Sequence, residues 1–233
     1  MFFGGAKSLP ALLFVAVVLC GGAPARAHDL TIADVQPCEA LPTDRHYDNY
    51  NDPAAKVLLH TVEINHFTPE VEELRKGLTA PLPRDIAFVL RAFPNHYRAL
   101  YAMATWQLQP DHPVDAENNI WTADCYFMRA AAFVPDDWRV HYVYAIYLHK
   151  AGRLSEAQKQ YDLAEANGAS GADYFYNRGL FEVDAGHLDK AEAYASKAYA
   201  LGVPAIGLRV KIAHARKAKT ASSGAARPAS TDH

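Results

Sequence analysis

Cysteine, methionine and tryptophan are scarce in this chain, three of each among 233 residues. Neither sign of charge dominates: 23 Lys and Arg stand against 26 Asp and Glu, a net charge of −3, so there is no electrostatic case for nucleic acid as a partner. The 11 histidines form no His-x-x-x-His or His-Glu-x-x-His string, and there is no Cys-x-x-Cys. His60 and His66 are six residues apart and His141 and His149 eight, spacings that do not pair on one helix face. No Gly-x-Ser-x-Gly elbow and no phosphate-binding glycine loop occurs. The expectation is therefore a chain that is not an enzyme and carries no cofactor. What is present is 50% hydrophobic and 21% charged, the composition of a globular chain with a core rather than of a disordered one.

Residues 1–27 stand apart. Lys7 is the only charge before an apolar run, ALLFVAVVLC, from Ala11 to Cys20, and Ala25-Arg26-Ala27 follows in the small-residue pattern of a cleavage site. The run is half the roughly 20 residues that cross a bilayer, which favours a secretory leader over the alternative of a membrane anchor. Leu19 stands before Cys20 where a lipoprotein wants a small residue. Cleavage after Ala27 removes Lys7 and Arg26, leaves His28–His233 at a net charge of −5, and places the chain in the periplasm or outside the cell with no integral membrane segment. Cys38 and Cys125 remain. In an oxidising compartment an even pair reads as one disulfide, the alternative being two buried thiols.

The strongest pattern is internal. Trp138 to Gly171, WRVHYVYAIYLHKAGRLSEAQKQYDLAEANGASG, overlays Ala172 to Ala205, ADYFYNRGLFEVDAGHLDKAEAYASKAYALGVPA, at an offset of 34. Gly152 falls on Gly186, Leu154 on Leu188, Ala157 on Ala191, Ala164 on Ala198 and Ala145 on Gly179. That period belongs to stacked helix–turn–helix units. The small Ala145 and Gly179 let the first helix of a pair approach the second, and Gly152 and Gly186 end the first helix. Tyr161 fills a bulky slot that Ala195 occupies one unit later. An interrupted unit lies upstream. YRALYAMATWQL, from Tyr97, is its first helix, ADCYFMRAAAFVP its second, and Gln109 to Asn119 a loop inserted between them.

Before these come expected helices over Arg84–Phe93, Pro69–Lys76 stopped by Gly77, and Pro53–Asn65 capped by Asp52. After them Pro204 opens a terminal helix to about Lys217, with Leu208, Ile212 and several basic residues suited to covering the last apolar face. The expected organisation is a leader (1–27), a divergent N-terminal extension (28–96), three repeats (97–137, 138–171, 172–205), a capping helix (206–219) and a disordered tail (220–233).

These residues resemble the tetratricopeptide-repeat superfamily, and ADYFYNRG…AGHLDKAEAYASKAYALG is close to its consensus. The upstream strings CEAL, HFTPEVEELRKG, LRAFPNHYRALYAM and CYFMRAA resemble a group of exported bacterial repeat proteins without an established biochemical role. The resemblance implies an all-α, right-handed solenoid that holds other proteins and has no catalytic residues. The inserted loop and the stretch 28–96 depart from the family pattern.

In that superfamily the first helix of each pair lines a concave groove, with slots 2, 5, 9, 12 and 13 pointing inward. The resemblance thus implies a peptide groove with Tyr101, Tyr142 and Tyr176 at slot 5, although packing alone also places tyrosine there. Arg98 and Arg139 share slot 2 as candidate carboxylate or carbonyl grips, with a solvated helix face as the bland alternative, and His149 and Lys150 end the groove wall. Asn177 occupies the slot that binds peptide backbone, but Ala102 and Val143 stand at its equivalents, so a full carboxylate clamp is incomplete. The expected function is an envelope adaptor that binds a protein or peptide partner. The rival is an exported small-ligand or copper-binding protein in which the amine and imidazole of a new N-terminal His28 chelate the metal.

Overall fold

The computed structural model describes residues 38, 40–43, 46–112, 114–115 and 120–225. The expected leader and His28 lie outside them. Among the described residues ten α-helices follow one another: α1 (Lys56–His66), α2 (Pro69–Glu72), α3 (Leu82–Ala92), α4 (Tyr97–Gln107), α5 (Ala123–Phe133), α6 (Trp138–Lys150), α7 (Leu154–Ala166), α8 (Ala172–Asp184), α9 (Leu188–Ala200) and α10 (Gly207–Ala225). Among the described residues there is no strand, only an isolated antiparallel bridge between Asp115 and Ile120.

The 34-residue offset is visible in the helix bounds. The pairs α6–α7 and α8–α9 are hairpins of two 13-residue helices whose starts and ends differ by 34. Gly152, Gly168, Gly186 and Gly202 end the four helices in the left-handed region, at φ 76°, 91°, 81° and 88°. At Gly152 the amide donates to the His149 carbonyl and the next amide, of Arg153, donates to Leu148, which satisfies carbonyls a helix end would otherwise leave unpaired. Within each hairpin the crossing point is small on one side, with Ala145, Ala157 and Ala191 all fully buried, and Tyr161 fills the slot between α6 and α8.

The extension is anchored at two ends. Cys38 and Cys125 form a disulfide, with Cα atoms 5.5 Å apart and a separation of 87 positions in sequence. Further on, Asn95 gathers the chain: its Oδ1 accepts from the Tyr50 amide at 2.9 Å, and its Nδ2 donates to Asn49 and to Asp137. Asp137 also caps α6 through the Arg139 amide. The helix expected over Pro69–Lys76 is a single turn. Leu74 takes φ +60°, its amide donates to Val71 and the Arg75 amide to Glu70, so a leucine stands where such a turn prefers glycine. A short 3-10 turn, Pro53–Ala55, precedes α1, and Asp52 caps it as expected.

The inserted loop is closed at its base. The Gln107 amide donates to the Trp121 carbonyl and accepts from the Ala123 amide, both at 2.6 Å, and the His112 ring stacks on Trp106 at 4.4 Å. At the other end α10 lies on α8 and α9 through Leu208 and Ile212. It begins at Gly207, three residues after Pro204, because 203–206 runs as a bridge on which the Tyr199 hydroxyl donates to the Ala205 carbonyl and accepts from the Arg209 amide. It runs to Ala225, so the start of the expected tail is helical, and 226–233 lie outside the described residues. A Cβ on Gly179 would sit 2.6 Å from Leu208 Cδ2 but 3.6 Å from the α9 backbone at Ala191. The small residue in that slot makes room for α10 more than for α9.

Candidate functional site

The first helices of the three pairs, α4, α6 and α8, neighbour one another in turn. Most of the groove residues expected on them already have partners within the protein. Arg98 is held by Glu72 and by Glu63, 3.2 Å away, so its guanidinium ties α4 to α1 and α2. The hydrogen bonds that Arg98 donates to Glu72, and the charge of Glu72, push Arg98 further toward the charged form. His149 meets Asp184 at 2.9 Å. Asn177 donates to the Tyr142 hydroxyl at 2.8 Å and to the Asp173 carbonyl. Burial pushes the Tyr142 phenol well above its ordinary pKa, so it stays neutral.

Tyr101 is 38% exposed, and the Lys150 ammonium donates to its hydroxyl at 3.0 Å while lying 5.0 Å from its ring centre. Tyr176 is packed with α10 in a second apolar cluster, and a Cβ on Gly207 would come within 2.8 Å of its hydroxyl. Tyr101 and Tyr142 therefore face the space between α4, α6 and α8, whereas Tyr176 belongs to the contact with the capping helix.

Arg139 is different. Its guanidinium carbon lies 4.6 Å over the Trp138 ring and 6.0 Å from the Tyr97 ring, and it forms no ion pair among the described residues. It opens onto a cavity of ≈ 240 Å³ where the N-terminal ends of α4, α6 and α8 meet, walled by the rings of Tyr97, Trp138, Tyr142 and Tyr174. Asp173, in the first turn of α8, lines the same cavity. The Tyr142 ring centre stands 5.5 Å from that of Tyr174 and 6.3 Å from that of Trp138, so the wall is continuous and rigid. Gly171, at φ +129°, precedes α8 without a side-chain cap and lines this cavity with Ala172 and Asp173.

The wall residues Tyr97, Trp138 and Tyr174 and the acidic Asp173 were not singled out from the sequence. A signal existed for three of them: Tyr97 and Trp138 stand at the first slot of their helices, both aromatic, and Asp173, 34 residues after Arg139, holds the slot that Arg98 and Arg139 hold on theirs.

Two other polar centres are fully engaged inside the protein. Asp124 accepts from Tyr144 at 2.6 Å and from Arg153 at 2.7 Å, locking α5 to the turn after α6. His96 is buried; its Nδ1 accepts from the Ala99 amide as the cap of α4, so the proton lies on Nε2, 3.1 Å from Glu63. Burial holds its pKa below the ordinary histidine value, against the pull of Glu63.

Comparison with family models, with curated proteins and with solved structures finds no match to this chain. Among the described residues no group of three or more His, Cys, Asp or Glu could hold a metal ion, and no helix is long and apolar enough to cross a membrane.

Proposed function

We propose that this chain is an exported adaptor of the tetratricopeptide-repeat type, a right-handed solenoid that works in the periplasm once residues 1–27 are removed. It would hold a peptide or an extended segment of a partner protein against α4, α6 and α8, without catalysis and without a cofactor. The observation that carries this reading is Arg139, a cation with no carboxylate partner among the described residues, set on an aromatic ledge between three successive first helices. Tyr and Trp offer rigid amphipathic area and Arg a forked donor, the residue types that dominate binding energy at interfaces. The Cys38–Cys125 disulfide fits an oxidising compartment.

The experiment is site-specific photocrosslinking in cell envelopes. A photoreactive phenylalanine replaces the exposed Tyr101, and a control replaces Leu163, which is 43% exposed on α7. The expected result is a discrete crosslinked partner at 101, absent at 163, and lost in Arg139→Ala. Equal capture at both positions, or capture at 101 untouched by Arg139→Ala, would place the binding face elsewhere.

A further inference from the structure

The cavity at the head of α4, α6 and α8 holds two opposite charges that do not meet. Arg139 and Asp173 both line it, each is without an ion pair among the described residues, and they form none with each other. The rings of Tyr97, Trp138, Tyr142 and Tyr174 line the same cavity. A cation and an anion of one protein that share a small space and stay apart leave a gap that a dipolar ligand can close. A ligand with only a carboxylate would satisfy Arg139 but sit against Asp173. A ligand with only an ammonium group would face the converse conflict. An uncharged peptide segment could offer a carbonyl to Arg139 but would leave Asp173 unused.

We propose that this cavity binds a free zwitterionic α-amino acid with an aromatic or large aliphatic side chain. Its carboxylate meets the Arg139 fork, its ammonium meets Asp173, and its side chain lies against the tyrosine and tryptophan rings. Size agrees: ≈ 240 Å³ accommodates a molecule on the order of ten non-hydrogen atoms. The mixed lining agrees too, since small-molecule sites are mostly apolar with a few placed polar groups that fix orientation. This inference does not rest on the adaptor reading. Peptide capture is read at Tyr101 in envelopes, whereas amino-acid binding is read in purified protein with no partner present.

The test is calorimetric titration of the purified chain with L-phenylalanine, L-leucine, 3-phenylpropionate, phenethylamine and N-acetylphenylalanine amide. The expected result is saturable binding of L-phenylalanine or L-leucine with Kd near or below about 1 mM. Binding of 3-phenylpropionate and of phenethylamine should each be at least tenfold weaker than that of L-phenylalanine. Arg139→Gln should abolish the preference for L-phenylalanine over phenethylamine. Asp173→Asn should abolish its preference over 3-phenylpropionate. Circular dichroism and melting confirm that both variants fold; if one does not, the other variant and the four analogues still decide. The proposal is overturned if neither amino acid saturates the protein by about 10 mM. It is equally overturned if N-acetylphenylalanine amide binds as tightly as L-phenylalanine, or if neither variant changes the preferences.

Discussion

Asp85 is the most densely hydrogen-bonded carboxylate in the fold, and its removal can be worked out from its partners. It has no solvent exposure. It accepts from the amides of Leu78, Thr79 and Ala80 at 2.6, 3.1 and 3.2 Å, from the Thr79 hydroxyl at 2.5 Å, and meets His66 Nδ1 at 3.0 Å. The loop before α3 is thus wrapped around one side chain. Asp85→Ala leaves three amides without their acceptor, each worth about 1–3 kcal/mol if fully buried. Leu78 is 52% exposed, so water reaches part of that loop, and the expected total is about 3–5 kcal/mol. Asp85→Asn keeps one acceptor oxygen for the amides and turns its NH2 toward Thr79 and His66, losing only the charge assistance, about 1–2 kcal/mol. Burial alone would raise the Asp85 pKa, but the hydrogen bonds from Thr79, His66, Leu78 and Ala80 outweigh it and hold the carboxyl below its ordinary value. A depressed folded-state pKa means that the contribution is complete above the unfolded pKa of about 3.9 and is lost as pH falls through the folded value. The assay is urea unfolding of wild type, Asp85→Ala and Asp85→Asn at pH 7 and at steps down to pH 3. If alanine costs less than about 1 kcal/mol, or asparagine costs as much as alanine, the loop is not organised by this carboxylate.

Three further outcomes follow from the same structure. Reducing the Cys38–Cys125 disulfide, which closes a loop of 87 residues, should lower stability by at most about 4–5 kcal/mol, seen as a drop in the denaturant midpoint on adding reductant; an unchanged midpoint would mean the bridge is not formed in solution. Gly77→Ala would put a Cβ 1.9 Å from the Ala80 carbonyl oxygen and 2.8 Å from the Leu82 nitrogen, so it should cost more than about 2 kcal/mol, whereas Gly152→Ala, at φ +76° with open space around it, should cost about 1 kcal/mol; thermal melts of the pair should rank them in that order. Because the folded pKa of His96 lies below its unfolded value near 6.5, the unfolded chain takes up the proton first and stability falls as pH drops below about 6.5; His96→Asn retains a capping side chain and should flatten the slope in that window, which unfolding curves at pH 7 and pH 5 would reveal.

Local chemistry settled much of this architecture. The 34-residue offset of α6–α7 against α8–α9, the glycines that close them, the Asp52 cap and the pairing of Cys38 with Cys125 were legible from the amino acids. Helix periodicity, caps and left-handed glycines act over a few neighbouring residues, so the chain itself carries them, and once Cys20 is set aside with the expected leader the two remaining cysteines allow only one pairing. The groove did not follow in the same way. Arg98 and Arg139 occupy equivalent slots, yet Arg98 is taken by Glu63 and Glu72, carboxylates 35 and 26 residues away on α1 and α2, while Arg139 is left beside two rings. Tyr101, Tyr142 and Tyr176 are likewise equivalent by count, but Tyr142 is tied to Asn177 and Tyr176 packs with α10. Which cation is neutralised and which ring is covered depends on what the chain brings across from other helices. Glu63 on α1 and Glu72 on α2 reach α4 at one end, and α10 packs on α8 and α9 at the other. Those contacts are made between distant segments, at distances of a few ångströms that no residue spacing encodes, and only the tertiary structure decides them.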